Sequence, residues 1–240
     1  MAMPKSYGQF CPVAKAAEVL CERWTPLVLR ELMYGSTRFN DLARGVPLMS
    51  RATLAQRLRE LEDSNVIAVR RNADGRATEY RLTAAGEGLR PSIEAMGMWA
   101  QRFGEGRIEA EDLDDGLLIW SFRRALRRER LPRRRMVLRF DFQGLPRGRV
   151  SRRSWWLIAT PDQVDVCQKD PGFDVDVVIS ANMRAMVNVW LGTQSYASAI
   201  RSREIAVEGA PELVRAIPDL FPFRGEFQKR LYVTAEPLPV

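Results

Sequence analysis

The sequence contains no histidine, and its three cysteines, Cys11, Cys21 and Cys167, are widely scattered. These absences exclude a zinc site built from Cys and His ligands, and any catalytic triad that needs an imidazole. An odd number of distant thiols leaves at least one without an intrachain partner, which is the usage of a reducing compartment. No apolar run approaches the roughly 20 residues of a membrane helix, and the opening MAMPKSYGQF lacks the apolar stretch of a secretory signal. The expected location is the cytoplasm. There is no glycine-rich phosphate loop, and no acidic residues are spaced for proton transfer, so the expectation is a protein that is not an enzyme and uses no metal or cofactor.

What is present is charge of one sign and enough apolar material for two cores. The 240 residues are 46% hydrophobic and carry a net charge of +7 that comes far more from Arg than from Lys. Planar guanidinium groups favour anionic partners such as phosphate or guanine. The excess is +4 over residues 1–103, where 15 basic residues face 11 acidic ones, and +3 over the remainder, so overall charge singles out neither half.

Local placement is more informative between Ser36 and Leu82. Phe39 to Arg44 reads as a short helix, followed by the turn Gly45-Val46-Pro47-Leu48-Met49. Ser50 then stands as an N-cap before a helix whose Leu54, Leu58 and Leu61 share one stripe. That stripe must face a core, which leaves Ala52, Thr53, Gln56 and Arg59 pointing outward, with Arg51 and Arg57 at its borders. Arg forks, an amide and a hydroxyl are the groups that bond to base edges in a major groove. Beyond it, Ile67 to Arg71 and Thr78 to Leu82 alternate as strands around the turn Asn72-Ala73-Asp74-Gly75, a hairpin that carries Arg70, Arg71 and Arg76. Helix, turn, helix and basic hairpin in this order read as a winged helix-turn-helix. Ser50, Arg51, Ala52, Thr53, Gln56 and Arg57 are expected near bases, and Arg70, Arg71 and Arg76 at phosphates or the minor groove.

Around this pair, Val13, Ala17, Leu20, Cys21 and Trp24 predict a first helix that ends near Arg23. Thr25 caps a second, with Pro26 in its first turn and Gly35 at its end. Thr83 caps a long helix with Leu89, Ile93, Met96, Ala100 and Phe103 on one side, kinked by Pro91. Its stripe exceeds what a small domain needs, so the first helix and this Leu89 to Phe103 helix are the expected homodimer surface, and a two-fold dimer matches a palindromic operator.

A polar seam over residues 104–112 separates residues 1–103 from a second domain, 113–240. There Leu118, Phe122 and Leu126 share one helical face, and four period-two segments follow: Met136 to Phe142, Trp155 to Ala159, Val164 to Gln168 and Phe173 to Ile179. Ser180 caps a helix bearing Met183, Met186, Val187 and Trp190. A short helix over Tyr196 to Arg201, a strand at Ile205 and Val207, a helix with Leu213 and Ile217, and a strand at Leu231 to Val233 complete the chain. The fold class is α+β, the second domain being an antiparallel sheet covered by helices. Between Arg123 and Arg153 lie 13 arginines against Glu129 and Asp141. They form either a second phosphate-contacting surface or a solvated face.

The N-terminal hundred residues resemble the HxlR-type family of bacterial winged-helix regulators. The likeness runs through Cys11-Pro12-Val13, Arg23-Trp24-Thr25-Pro26, Leu29 to Leu32, Arg38 to Leu42, Ser50, Leu54, Arg57-Leu58, Glu60 to Glu62, Glu79 to Thr83, Gly86 and Trp99. Cys21-Glu22 stands where the family often has two glycines. The resemblance implies a homodimeric transcription factor on a two-fold operator, and it places Cys11 where some relatives sense oxidants or electrophiles. Lys15, one turn on, could lower that thiol's pKa; Cys21 sits on the predicted buried stripe. Residues 174–221 resemble the sterol-carrier-protein family in their strand, helix, helix, strand order. That likeness implies an apolar tunnel for lipid, lined by Met183, Met186, Val187 and Trp190.

The expected function is a bacterial transcription regulator that binds double-stranded DNA as a homodimer, modulated by a hydrophobic or lipid-like effector in the second domain. The alternative is a lipid or fatty-acyl binding protein whose N-terminal domain mainly dimerises.

Overall fold

A computed structural model describes residues 6–103, 108–145, 154–221 and 223. The chain divides after Glu105 into two compact units. In the first, α1 (Pro12–Leu20), α2 (Thr25–Met33), α3 (Phe39–Gly45) and α4 (Arg51–Asp63) precede a two-stranded sheet of β1 (Ile67–Arg71) and β2 (Ala77–Leu82); α5 (Ala84–Glu87) and α6 (Arg90–Phe103) follow. Apolar residues at helical spacing on α2 and α4 meet in one core: Val28, Leu29, Leu32, Leu54, Leu58 and Leu61 are buried with Leu42, Ile67, Leu82 and Ile93. Each such side chain removed from water stabilises the unit by roughly 1.5–3 kcal/mol. Glu31 lies fully buried in this core, held by Arg30 at 3.0 Å, and Arg30 also donates to the Gly45 carbonyl at 2.9 Å. A charge so placed is tolerated because its partner and hydrogen bonds come with it.

Three sequence expectations change here. The first helix ends at Leu20 rather than near Arg23, and its predicted apolar stripe is not buried, since Val13 and Cys21 are both exposed. Pro91 does not kink one long helix. Thr83 caps the short α5, and a second helix starts at Arg90, which puts the ring in a first turn where its missing amide costs nothing. α6 then packs Ile93 into the core and leaves Met96, Met98, Trp99 and Phe103 exposed.

The second unit begins with a 3-10 turn, Ala110–Asp112, closed by a capping box between Glu109 and Asp112. Then come α7 (Asp115–Ala125), a further 3-10 turn at Arg128–Arg130, β3 (Met136–Gln143), β4 (Ser154–Ala159), β5 (Val164–Cys167), β6 (Val177–Asn182), α8 (Met183–Leu191), α9 (Tyr196–Arg201), β7 (Ile205–Gly209) and α10 (Pro211–Leu220). The sheet order is β5-β4-β3-β6-β7. Alternation puts Leu138, Phe140, Leu157 and Ile179 on one face, where they share a core with Phe122, Met186, Val189, Ile217 and Phe221 from the helical segments. Trp155 joins that core and donates its indole N–H to the buried Asp115 at 2.8 Å.

The sheet is mixed, not wholly antiparallel: β3 and β6 run parallel. Asp176 anchors the start of this parallel pair. Its amide donates to the Val137 carbonyl (2.9 Å), and its carboxylate accepts from the Val137 amide (2.8 Å) and from Arg134 (2.8 Å), so β6 starts where β3 starts. Pairing then continues to Gln143 and Asn182, which keeps Ser180 inside the strand. The cap of α8 is therefore Asn182, not Ser180. The segment Leu231 to Val233 lies outside the described residues, as do Arg147, Arg149, Arg152 and Arg153 of the basic stretch.

Candidate nucleic-acid interface

The reading pair is α3 and α4, joined by a turn in which the Met49 amide donates to the Val46 carbonyl at 2.9 Å and both side chains are buried. Ser50 caps α4: its Oγ accepts from the Thr53 amide at 3.1 Å and lies 2.7 Å from the Thr53 hydroxyl. The cap turns both hydroxyls toward each other, so Thr53 is half-buried. Exposed on the helix are Arg51, Ala52, Gln56 and Arg59, with Asp63 at its last position. Arg51 stacks over Phe39 at 4.7 Å and donates to Asn40 at 2.8 Å, so α3 orients it. Gln56 reaches Glu60 at 3.2 Å.

Arg57 is a correction to the expected reading set. Its guanidinium joins Glu22 at 2.9 Å and also Glu60, with only 14% of the side chain exposed. It ties α4 to the segment after α1 instead of facing solvent. Outward cations on the two helices that sequence reasoning left out of the set include Arg59, three residues beyond Gln56, Arg38 at the start of α3, and Arg44 at its end, which pairs with Asp41. Their signal was their position on the polar side of each helix.

The hairpin stands beside α4. Asn72 closes its tip, where its Oδ1 accepts from the Arg76 amide at 2.8 Å and Gly75 takes a left-handed φ of 74°. The Tyr80 amide donates to the Thr37 carbonyl at 2.8 Å, which fixes the ribbon to the chain just before α3. Arg70, Arg71 and Arg76 are all exposed. Two of them have carboxylate partners: Arg71 donates twice to Glu62 at 2.6 Å, and Arg70 lies 3.7 Å from Glu79. The hydrogen bond from Arg71 holds the Glu62 carboxyl below its ordinary pKa.

The other proposed site residues fall elsewhere. Met183 and Met186 are fully buried, and Val187 and Trp190 are half-buried against the same core, with Trp190 meeting Phe122 edge-on at 5.2 Å. Cys11 is exposed at the start of α1, and its thiol pKa is lowered by hydrogen bonds from the Ala14 and Val13 amides. Lys15 is not the cause, because its ammonium group pairs with Glu18 at 3.0 Å. Among the described residues, no group of three or more His, Cys, Asp or Glu could hold a metal ion, and no helix is long and apolar enough to cross a membrane.

A capped helix with a polar outer face, a helix crossing behind it and an adjoining cationic hairpin define a winged helix-turn-helix unit. Residues 19–107 match the HxlR-like helix-turn-helix family, and the chain belongs to that family. An uncharacterised HTH-type transcriptional regulator of Mycobacterium tuberculosis is 40% identical over 94 residues, which are 38% of this chain and 58% of that protein. The chain thus spans little more than half the length of this relative. YodB of Bacillus subtilis, an HTH-type transcriptional regulator, is 32% identical over 97 residues, 40% of this chain and 87% of its own. The solved structure of reduced YodB covers 41% of this chain and 99% of its own at 31% identity, with a TM-score of 0.36. A UbiJ-SCP2 ubiquinone synthesis protein covers 42% of this chain and 73% of its own at 27% identity, with a TM-score of 0.30.

Proposed function

We propose that the chain is a cytoplasmic transcription regulator that binds two-fold symmetric operator DNA as a homodimer and catalyses no reaction. The observation that carries this reading is the exposed face of α4, with Arg51, Ala52 and Gln56 beside a hairpin tipped by Arg76. Such a face fits a major groove while the hairpin meets the adjoining backbone. Homodimerisation is supported by exposed apolar side chains away from α4. Met96, Trp99 and Phe103 share one face of α6 at i, i+3 and i+7 and are exposed, and Tyr7, Phe10 and Val13 around the start of α1 are exposed large apolar side chains as well. An exposed apolar face of this kind on a small unit fits an interface.

Selecting bound fragments from random and genomic DNA tests the reading. The selected sites are expected to be palindromic. Gln56→Ala should then lose about 1–3 kcal/mol on the selected site and blur the preference there. Arg76→Ala should instead weaken all sequences alike and flatten the salt slope by about one unit. Equal losses for both variants on selected and random DNA would contradict these roles, and selection of no consensus would remove the reading itself.

In this reading the second unit supplies an effector site for a hydrophobic or lipid-like molecule, with Met183, Met186, Val187 and Trp190 adjusting around it. Unbranched methionines suit a floppy apolar ligand. The same titrations with fatty acyl ligands present address it, since ligand binding that leaves operator affinity unchanged would uncouple the units. Cys11, exposed and with a depressed thiol pKa, is the candidate thiol for oxidant sensing.

A further inference from the structure

We infer that Glu62 restrains sequence-independent DNA binding by holding the hairpin cation Arg71 in a pair that a phosphate must displace. The inference rests on the DNA-binding reading above, and it concerns the backbone contacts alone.

Glu62 sits in the last turn of α4, and Arg71 ends β1, so the pair bridges the reading helix and the hairpin. Two guanidinium nitrogens meet the two carboxylate oxygens, each at 2.6 Å. This is the bidentate geometry in which Arg also takes a phosphate. One guanidinium edge cannot serve both anions at once.

The pair is also open to solvent. Side-chain exposures of 45% for Arg71 and 29% for Glu62 place it among surface ion pairs, which contribute at most about 1 kcal/mol to stability. An incoming phosphate can therefore compete for the cation, at the cost of leaving a carboxylate close to the DNA backbone. Glu79 repeats the arrangement on Arg70 more loosely, since it is already shared with Arg81 at 2.6 Å. Arg76 at the tip has no ion pair among the described residues. The hairpin thus presents one available cation and two that are partly neutralised. Non-specific affinity follows the number of phosphates neutralised, so a carboxylate that masks one guanidinium lowers binding to any duplex.

The test uses the full chain and a random-sequence duplex. Glu62→Gln keeps the shape, removes the charge and turns one of the two oxygens that accept from Arg71 into an N–H donor, so the bidentate pair is lost. The affinity of this variant for random duplex at about 0.1 M salt should rise roughly five- to tenfold, with a salt slope steeper by about 0.9, as one phosphate contact is added. In Glu62→Gln combined with Arg71→Ala the gain should vanish, because the gain acts through Arg71. A purely structural pair predicts the opposite sign: loosening the hairpin would weaken binding. Unchanged or weaker binding of Glu62→Gln to random duplex overturns the inference, as does a gain that survives in the double variant. If Glu62→Gln does not fold, Arg71→Ala and Arg76→Ala decide between the alternatives. Arg71→Ala should cost clearly less on random duplex than Arg76→Ala, and equal costs overturn the inference. Failure here leaves palindromic selection intact, whereas failure of the regulator reading appears as loss of sequence preference.

Discussion

Replacing both Trp99 and Phe103 with Glu is expected to give a folded monomer that binds operator about 10²- to 10⁴-fold more weakly than the parent chain. The two rings stand 6.4 Å apart at the end of α6, and each is about two-thirds exposed, at 63% and 61%. Their removal therefore takes little from the core of the protomer. In a two-fold dimer they would be covered, and aromatic burial of this kind dominates interface energies at several kcal/mol per ring. A carboxylate in the same place would have to be desolvated without a partner. The loss on DNA follows from linkage: two reading helices on one particle make the second half-site contact intramolecular, and that advantage disappears with the dimer. Sedimentation equilibrium reports the mass, and operator titration reports the affinity. A double variant that keeps the mass and affinity of the parent would rule out α6 as the dimer surface.

The second large effect is on folding. Gly86→Ala is expected to destabilise the N-terminal unit by about 3 kcal/mol or more. A Cβ at position 86 would lie 2.2 Å from the Val66 carbonyl oxygen and 3.0 Å from a Leu82 methyl. The obstacle is backbone, already fixed by the Thr83 amide (3.0 Å) and by the Thr83 hydroxyl, so no side chain can swing away. For a unit of roughly 100 residues such a loss lowers Tm by about 12 °C or more, measurable by scanning calorimetry. A transition within about 2 °C of the parent would mean that the chain relaxes there at little cost.

Both effects trace to features of different visibility in the sequence. The surplus apolar stripe on Leu89 to Phe103 was visible as periodicity. The Ser50 cap was visible as well, because a hydroxyl before an amphipathic run acts on its own next turn. Gly86 stood in a matching motif, but its reason, the Val66 carbonyl just before β1 and twenty residues back in the chain, is a contact of the folded state. The same holds for the cations. Sequence spacing placed Arg71 at the surface, as found, and Arg57 at the edge of the reading face, where only 14% of its side chain is exposed; it could not pair them with Glu22 and Glu62, which approach only when the segment after α1, α4 and β1 pack. Cys21 misled for a related reason: a stripe at helical spacing shows which side is apolar, not whether anything covers it.

In the second unit, alternation identified the strands and their inner face, since a pleated strand must send every other residue the same way. Which strands lie side by side could not be read from alternation; β6 pairs parallel with β3, and Asp176 bonds to the start of β3 and to Arg134 at one end of that pairing. Local chemistry, meaning caps, turns and hydrophobic period, acts within a few residues and is written in the chain. Strand order, charge neutralisation and close backbone approach depend on groups brought together from distant positions, and only the packed tertiary structure decides them.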